Sequence, residues 1–201
     1  MGTGYKVSVS EGISGDWQVA KIVVSKKNAE IEAIRAPFSG GRYTPEGNYT
    51  RLTYRGSVIM SDTPDEYHDH REPICRARGL VLIHGLGLGM VLQAIARKTE
   101  VEHVLVIEQS IDVLNLVADH YLRMFPGKVD ILQGDAYTWP VPKRSYWDVI
   151  WHDIWPSLSL DNLPEMTRLH RRFGRRCNWQ GSWGKDLLEY RLRCEKRQSS
   201  R

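Results

Sequence analysis

Cysteine is scarce in this chain of 201 residues, because it has only Cys75, Cys177 and Cys194, and these form no C-x-x-C motif. Such spacing argues against a disulfide framework or a zinc site and suits reduced thiols. Long hydrophobic runs are absent as well: none approaches the roughly 20 residues that cross a bilayer, and the first residues lack the apolar core of a secretion signal. We therefore expect a cytoplasmic protein with no bound metal and no membrane contact.

Positive charge is in excess only toward the end of the chain. Residues 166–201 hold 11 Lys and Arg against 3 Asp and Glu, whereas residues 1–165 hold 17 against 21, which gives the net charge of +4. A basic segment of this kind either contacts nucleic acid or another anionic partner, or forms a solvated helix face. Both interpretations stay open.

A glycine-rich turn follows an apolar segment in the middle of the chain. Residues 81–84 precede Gly85, Gly87 and Gly89, and a second apolar segment ends at Glu108, 23 residues after the first of these glycines. Glycines let the backbone approach a ligand because no Cβ stands between them, and the acid can accept hydrogen bonds from both hydroxyls of a ribose. The pattern predicts a nucleotide-type cofactor across the carboxyl ends of a parallel sheet.

The spacing of the glycines separates two classes of cofactor. The dinucleotide pattern G-x-G-x-x-G would need a glycine at position 90, where this chain has Met90. The tighter G-x-G-x-G spacing resembles motif I of the class I methyltransferases that use S-adenosylmethionine (SAM). A nicotinamide-dependent oxidoreductase is therefore a less favoured alternative.

Two further apolar segments, 129–132 and 147–152, are each followed by an acid. The resemblance implies that Asp135 and Ala136 contact the adenine and that Asp153 lies beside the reacting sulfonium. Asp153 is thus the candidate catalytic residue, because a carboxylate there could orient the acceptor or take its proton. Alternatively, it could pair with the ammonium group of the cofactor and take no part in the chemistry, and Asp135 could merely cap a turn.

Several residues resemble the spermidine-synthase-like branch of this superfamily. Ile83 stands where ordinary methyltransferases often have an acid, and residues 57–62 and 65–69 lead into the glycine loop as in that branch. Two departures concern acids of the spermidine synthases. Leu88 replaces the acid of the glycine loop that helps hold the transferred aminopropyl group, and Pro156 replaces the second acid of D-x-x-D, whose acids bind the amines of the polyamine. A buried ammonium without these partners would be unfavourable.

We therefore favour methyl transfer from SAM to a small-molecule or otherwise unidentified acceptor. Aminopropyl transfer from decarboxylated SAM and a non-catalytic SAM-fold binding module are the alternatives. The resemblance also implies that Tyr67 and His68 belong to a segment that covers the cofactor. Trp155 follows Asp153 closely, and we expect it in the acceptor pocket, whereas His152 should point to the opposite face of its strand and pack in the core.

The periodicity predicts an α/β fold with a Rossmann-like parallel sheet of five strands in the order 3-2-1-4-5, without the last two strands of a complete class I methyltransferase. A small antiparallel β unit precedes it, and we divide the chain into an N-terminal β-hairpin extension, 1–62, and a SAM-binding domain, 63–201. The exposed edge of the last strand needs a cover, such as the last helix, the N-terminal strands or a second subunit of a homodimer.

The strands are expected at 17–25, 29–35, 49–55, 57–61, 80–84, 103–108, 129–133, 147–152 and 176–182, with a loop over 36–48. The helices are expected at 66–76 with an interruption at Pro73, and at 90–98, 111–124, 162–173 and 185–197.

Overall fold

Two β-sheets organise the chain in the computed structural model, which describes residues 5–36 and 43–199. Residues 37–42 of the loop predicted at 36–48 therefore lie outside the described residues, and residues 47 and 48 begin a strand instead. The elements in chain order are β1 (Gly12–Ser14), β2 (Trp17–Val24), α1 (Lys26–Arg35), β3 (Gly47–Tyr54), β4 (Ser57–Ser61), α2 (Pro64–Asp69), α3 (Arg71–Arg76), β5 (Gly79–His84), α4 (Met90–Ala96), β6 (Val101–Glu108), α5 (Ile111–Met124), β7 (Val129–Gln133), β8 (Trp147–His152), α6 (Asn162–Phe173), β9 (Cys177–Ser182) and α7 (Lys185–Ser199).

The larger sheet is parallel and has the order β7-β6-β5-β8-β9. This is the predicted order 3-2-1-4-5, and the described residues contain no strand after β9. Its central strand is buried on both faces, with Val81, Leu82 and Ile83 at most 2% exposed. A run of apolar residues without alternation is expected for such a strand, because helices cover both faces of a parallel sheet.

Helix α5 shows how local signals set an element. The hydroxyl of Ser110 accepts a hydrogen bond from the N–H of Val113 over 3.3 Å and caps the helix at its N-terminus. Val113, Val117 and Tyr121 follow at a spacing of four residues, and all three are buried against the sheet. The helix ends at Met124, so the predicted bounds of 111–124 are confirmed.

The smaller sheet is antiparallel and has the order β1-β2-β3-β4. Strands β2, β3 and β4 confirm the predictions at 17–25, 49–55 and 57–61, while β1 was not predicted. The sheet packs beside the N-terminus of α5, where the Ser14 hydroxyl donates to the carboxylate of Asp112 over 2.7 Å.

The strand predicted at 29–35 is wrong, because this segment belongs to helix α1. Alternating apolar residues favoured a strand, but the segment consists mostly of good helix formers, and the Ser25 hydroxyl caps it by accepting from the N–H of Asn28 over 3.3 Å. Strand β2 already has β1 and β3 as neighbours, so no edge of β2 is free to pair with a strand at 29–35.

The helix predicted at 66–76 is divided at His70, not at Pro73. Pro73 lies in the first turn of α3, where a missing N–H leaves no helical hydrogen bond unmade. His70 ends α2 with a non-helical backbone at φ −102° and ψ 10°, and its side chain is buried.

The parallel sheet is covered on both faces. One face packs on α4, α5 and the antiparallel sheet, so that Val19 and Leu52 share a core with Val81 and Val104. The other face packs on α6 and α7 through residues such as Phe173. None of the described helices is long and apolar enough to span a bilayer. The division of the chain at residue 62 stays a prediction.

Candidate active site

A cavity of about 850 Å³ lies at the carboxyl ends of the parallel strands. Its volume is within the range of small-molecule sites. Because parallel strands end at the same edge of a sheet, motifs far apart in sequence meet here, in the order Asp135, Glu108, Gly85 and Asp153 from β7 to β8. The predicted site residues that line the cavity are Gly85, Gly87, Glu108, Asp135, Ala136, Asp153 and Trp155.

Three predicted residues lie outside this lining. Gly89 precedes α4 and lies against the ring of Tyr121. Tyr67 packs on Tyr5, with ring centroids 5.7 Å apart, and His68 is exposed. The contacts of Gly89, Tyr67 and His68 with a cofactor therefore stay predictions.

Gly85 brings the ends of β5 and β8 together. Its φ of +94° is a conformation that other residues rarely adopt, and a Cβ there would lie 2.0 Å from the carbonyl oxygen of Asp153. The N–H of Asp153 donates in turn to the carbonyl of His84 over 2.9 Å. The first glycine of the loop thus sets the position of the candidate catalytic acid.

Glu108 is held at the end of β6 by two backbone groups. The N–H of Leu86 donates to Oε2 over 2.7 Å, and the N–H of Ser110 donates to Oε1 over 2.8 Å. Each carboxylate oxygen has a second lone pair, so both can still accept from the hydroxyls of a ribose. The glycine loop therefore orients the acid as well as lining the cavity.

Asp135 caps the turn after β7 and also lines the cavity. Its Oδ1 accepts from the N–H of Tyr137 over 2.8 Å, and its carbonyl accepts from the N–H of Trp139 over 2.7 Å. The turn-capping interpretation is therefore correct, and it leaves the other lone pairs of the carboxylate available to a ligand.

Three arginines of the basic segment hold the chain that follows Asp135. Arg168 lies over the Tyr137 ring at 5.0 Å, Arg172 donates to the carbonyl of Trp139, and Arg176 donates to the carbonyl of Pro142 over 3.3 Å. These side chains are four residues apart and face one segment, 137–142. Part of the C-terminal positive charge thus stabilises the segment that follows Asp135.

Asp153 faces the cavity with 23% of its side chain exposed. Burial raises the pKa of its carboxyl group to about 7, and the charges of Asp69 and Glu108 add to the effect. Nε2 of His70 lies 3.6 Å from Oδ2, close enough to pair with the carboxylate when the imidazole is protonated. A carboxyl group whose pKa lies near neutrality is suited to accept a proton during a reaction.

A histidine pair lies beneath these strand ends. Nδ1 of His84 and Nδ1 of His152 are 2.8 Å apart, and the two rings are nearly parallel, at 11°, with centroids at 4.9 Å. Burial lowers the pKa of His84 to about 3, helped by the charge of Arg172, and burial with the neighbouring His84 lowers the pKa of His152. One neutral ring donates and the other accepts, so the pair joins β5 to β8. His152 is buried, as predicted.

Further residues that line the cavity were not predicted. The antiparallel sheet contributes five side chains, which are Trp17, Leu52, Tyr54, Ile59 and Met60. Helices α2 and α6 and the end of β9 contribute others, including His70 and Trp183.

Trp155, which was predicted in the acceptor pocket, is 6% exposed, and its Nε1 donates to Glu165 over 2.8 Å. Within residues 5–36 and 43–199, no cluster of His, Cys, Asp and Glu is placed to bind a metal.

No protein-family model matches the chain, and no curated protein matches it. Solved structures that resemble it include a putative methyltransferase from Pseudomonas syringae, with 14% identity over 56% of this chain and 69% of that chain, and a TM-score of 0.43. The CcbJ methyltransferase from Streptomyces caelestis has 21% identity over 54% of this chain and 45% of that chain, with a TM-score of 0.42. The YcgJ protein from Bacillus subtilis has 22% identity over 43% of this chain and 38% of that chain, with a TM-score of 0.37.

The matched part of the chain thus spans less than two thirds of the length of the YcgJ and CcbJ proteins.

Proposed function

We propose that this protein binds SAM and transfers its methyl group to an acceptor. One observation carries the proposal: four adjacent strand ends line a single cavity with Asp135, Glu108, the glycine loop and Asp153, in that order. An elongated nucleoside with an amino-acid chain would extend along this line. Its adenine would lie at β7, its ribose at β6 and its sulfur between β5 and β8.

The residues present suit such a ligand. Glu108, oriented by two backbone N–H groups, can accept from the ribose hydroxyls. Asp135 can accept from the adenine amino group, and the backbone of Ala136 borders the same end of the cavity. When bound, SAM supplies a methyl group that is electrophilic because it is attached to a positively charged sulfur.

Asp153 would act next to that methyl group. Its carboxylate would accept the proton that the acceptor loses when the lone pair of the acceptor bonds to the methyl carbon and the C–S electron pair stays on sulfur. The closely packed ends of β5 and β8 keep the carboxylate in place. Such positioning supplies a large part of catalysis in a displacement reaction.

Two features support the spermidine-synthase-like arrangement as the subtype. Ile83 occupies the end of β5, and an N-terminal antiparallel sheet forms one wall of the cavity. Leu88 and Pro156, which replace acids of the spermidine synthases, support methyl transfer over aminopropyl transfer.

Aminopropyl transfer from decarboxylated SAM is the second candidate, and the charge of the cavity favours it. Five carboxyl groups line the cavity, whereas no lysine or arginine does so among the residues that the structure describes. A cofactor without a carboxylate would meet less repulsion there. The five acids are Glu66, Glu108, Asp135, Asp153 and Glu165.

Calorimetric titration with SAM, S-adenosylhomocysteine, decarboxylated SAM and NAD tests both candidates. We expect SAM and S-adenosylhomocysteine to bind, and Glu108→Ala to weaken both roughly 30-fold through the loss of charged hydrogen bonds. Glu102→Ala is the matched control, since Glu102 lies on the same strand and is exposed. Preference for decarboxylated SAM would favour aminopropyl transfer, and binding of NAD alone would overturn the proposal.

A further inference from the structure

A methionine of the antiparallel sheet lies against the glycine loop, residues 85–89. The N–H of Leu88 donates to Sδ of Met60 over 3.1 Å. A Cβ on Gly87 would lie 2.4 Å from the same sulfur, so the thioether in this position packs directly on the glycine. Met60 also lines the cavity. It therefore contacts the part of the site that would receive the amino-acid portion of SAM.

A β-bulge turns Met60 toward the loop. Leu52 pairs with Met60 and Thr53 pairs with Val58, which leaves Ile59 as an extra residue in β4. Neighbours in a regular strand point to opposite faces, but a bulge locally changes their directions. Ile59 and Met60 accordingly both line the cavity. The irregularity of the sheet is what brings the thioether to the loop.

The acceptors of the loop N–H groups differ in strength. The N–H groups of Gly85, Leu86 and Gly89 donate to oxygen atoms over 2.9, 2.7 and 2.8 Å. Leu88 donates to a thioether, which is a weak acceptor. A carboxylate forms stronger, charge-assisted hydrogen bonds. Among these four donors, the N–H of Leu88 is thus the one that an anionic ligand can take over most easily.

We propose that Met60 determines specificity by competing with the carboxylate of the cofactor for the N–H of Leu88. This inference rests on the proposed function, because it concerns the amino-acid portion of SAM. The methionine side chain has three rotatable bonds, so it can move aside when the carboxylate arrives. The competition lowers the affinity for ligands that carry the carboxylate and leaves the affinity for ligands that lack it.

Two nucleosides separate this effect from simple packing. S-adenosylhomocysteine and 5′-methylthioadenosine share the adenosine and the thioether, but only the first carries an amino-acid carboxylate. Met60→Leu removes the sulfur and keeps a similar volume. We expect this variant to bind S-adenosylhomocysteine roughly fivefold more tightly than wild type, because the N–H no longer has a competing acceptor. The affinity for 5′-methylthioadenosine should change less than twofold.

Met90→Leu is the matched control, since Met90 also lines the cavity; the ratio of the two affinities should stay as in wild type. In wild type, the amide resonance of Leu88 should shift more with S-adenosylhomocysteine than with 5′-methylthioadenosine, which tests the inference even if Met60→Leu folds poorly. Equal changes for both nucleosides, or weaker binding of S-adenosylhomocysteine by Met60→Leu, would overturn it. If wild type binds neither nucleoside, the proposed function itself fails, and this is seen before any variant is made.

Discussion

Two sheets border the cavity, and they contribute to it in different ways. The parallel sheet contributes polar groups at strand ends, such as Glu108 and Asp153, which backbone hydrogen bonds hold in place. The antiparallel sheet contributes apolar side chains from within strands, such as Leu52 and Met60. The first set should therefore respond to changes of the backbone, and the second to changes of side-chain volume.

The largest effect should come from Gly85→Ala. The new Cβ would meet the backbone of Asp153 at 2.0 Å, and alanine at a φ of +94° is strained in addition. We expect the free energy of unfolding, measured with urea, to fall by about 3 kcal/mol or more.

Gly127→Ala is the control for backbone strain alone. Gly127 also has a positive φ, of +73°, but nothing lies within 4 Å of a Cβ built there. This variant should lose about 1 kcal/mol. Equal losses of unfolding free energy for Gly85→Ala and Gly127→Ala would mean that the close contact between the ends of β5 and β8 adds nothing to stability.

The parallel sheet could be predicted from the sequence because its elements carry local signals. Helix α5 and strands β7 and β8 begin and end at the predicted residues, because caps, breakers and apolar runs are local signals. The sheet order then brings Glu108, Asp135 and Asp153 to one edge, wherever each lies in the sequence.

The antiparallel wall could not be predicted in this way. Met60 reaches the glycine loop through a bulge, and no local pattern in residues 57–61 indicates one. Residues 29–35 alternate like a strand, yet their helix formers and the cap at Ser25 outweigh the alternation. Trp183 lines the cavity only because β9 ends beside β8, which is a tertiary relation.

Leu52→Ala tests the antiparallel wall. Leu52 is 1% exposed and shares the core of the parallel sheet, so truncation should lower the free energy of unfolding by about 3 kcal/mol through the cavity it leaves. Ile13 belongs to the same sheet but is 73% exposed, and Ile13→Ala should cost less than about 0.5 kcal/mol. A small loss for both variants would show that the antiparallel sheet adds little to the core.

The buried histidine pair should lower the free energy of unfolding in acid. The pKa of His84 is lowered from 6.5 to about 3 in the folded protein, so the unfolded chain binds more protons between these values and stability falls as the pH falls. The variant His84→Gln has no imidazole at this position, so its unfolded chain does not bind this extra proton. The stability difference between wild type and His84→Gln should therefore shrink by about 1.4 kcal/mol per pH unit from pH 6 to pH 4, as measured by urea unfolding. A constant difference would mean that His84 is not kept neutral by burial.

Asp153 should make the affinity for SAM depend on pH, and the affinity should increase as the pH rises. Its pKa is raised to about 7, so the carboxylate forms as the pH rises through neutrality and then attracts the positive sulfur of SAM. We expect the affinity for SAM to rise roughly fivefold from pH 6 to pH 8. S-adenosylhomocysteine has a neutral sulfur, so its affinity should change much less over the same range. Asp153→Asn should abolish the pH dependence for SAM, whereas Asp119→Asn, on the exposed face of α5, should preserve it. A dependence that persists in Asp153→Asn would assign the proton to another group and remove the support for Asp153 as the residue beside the sulfur.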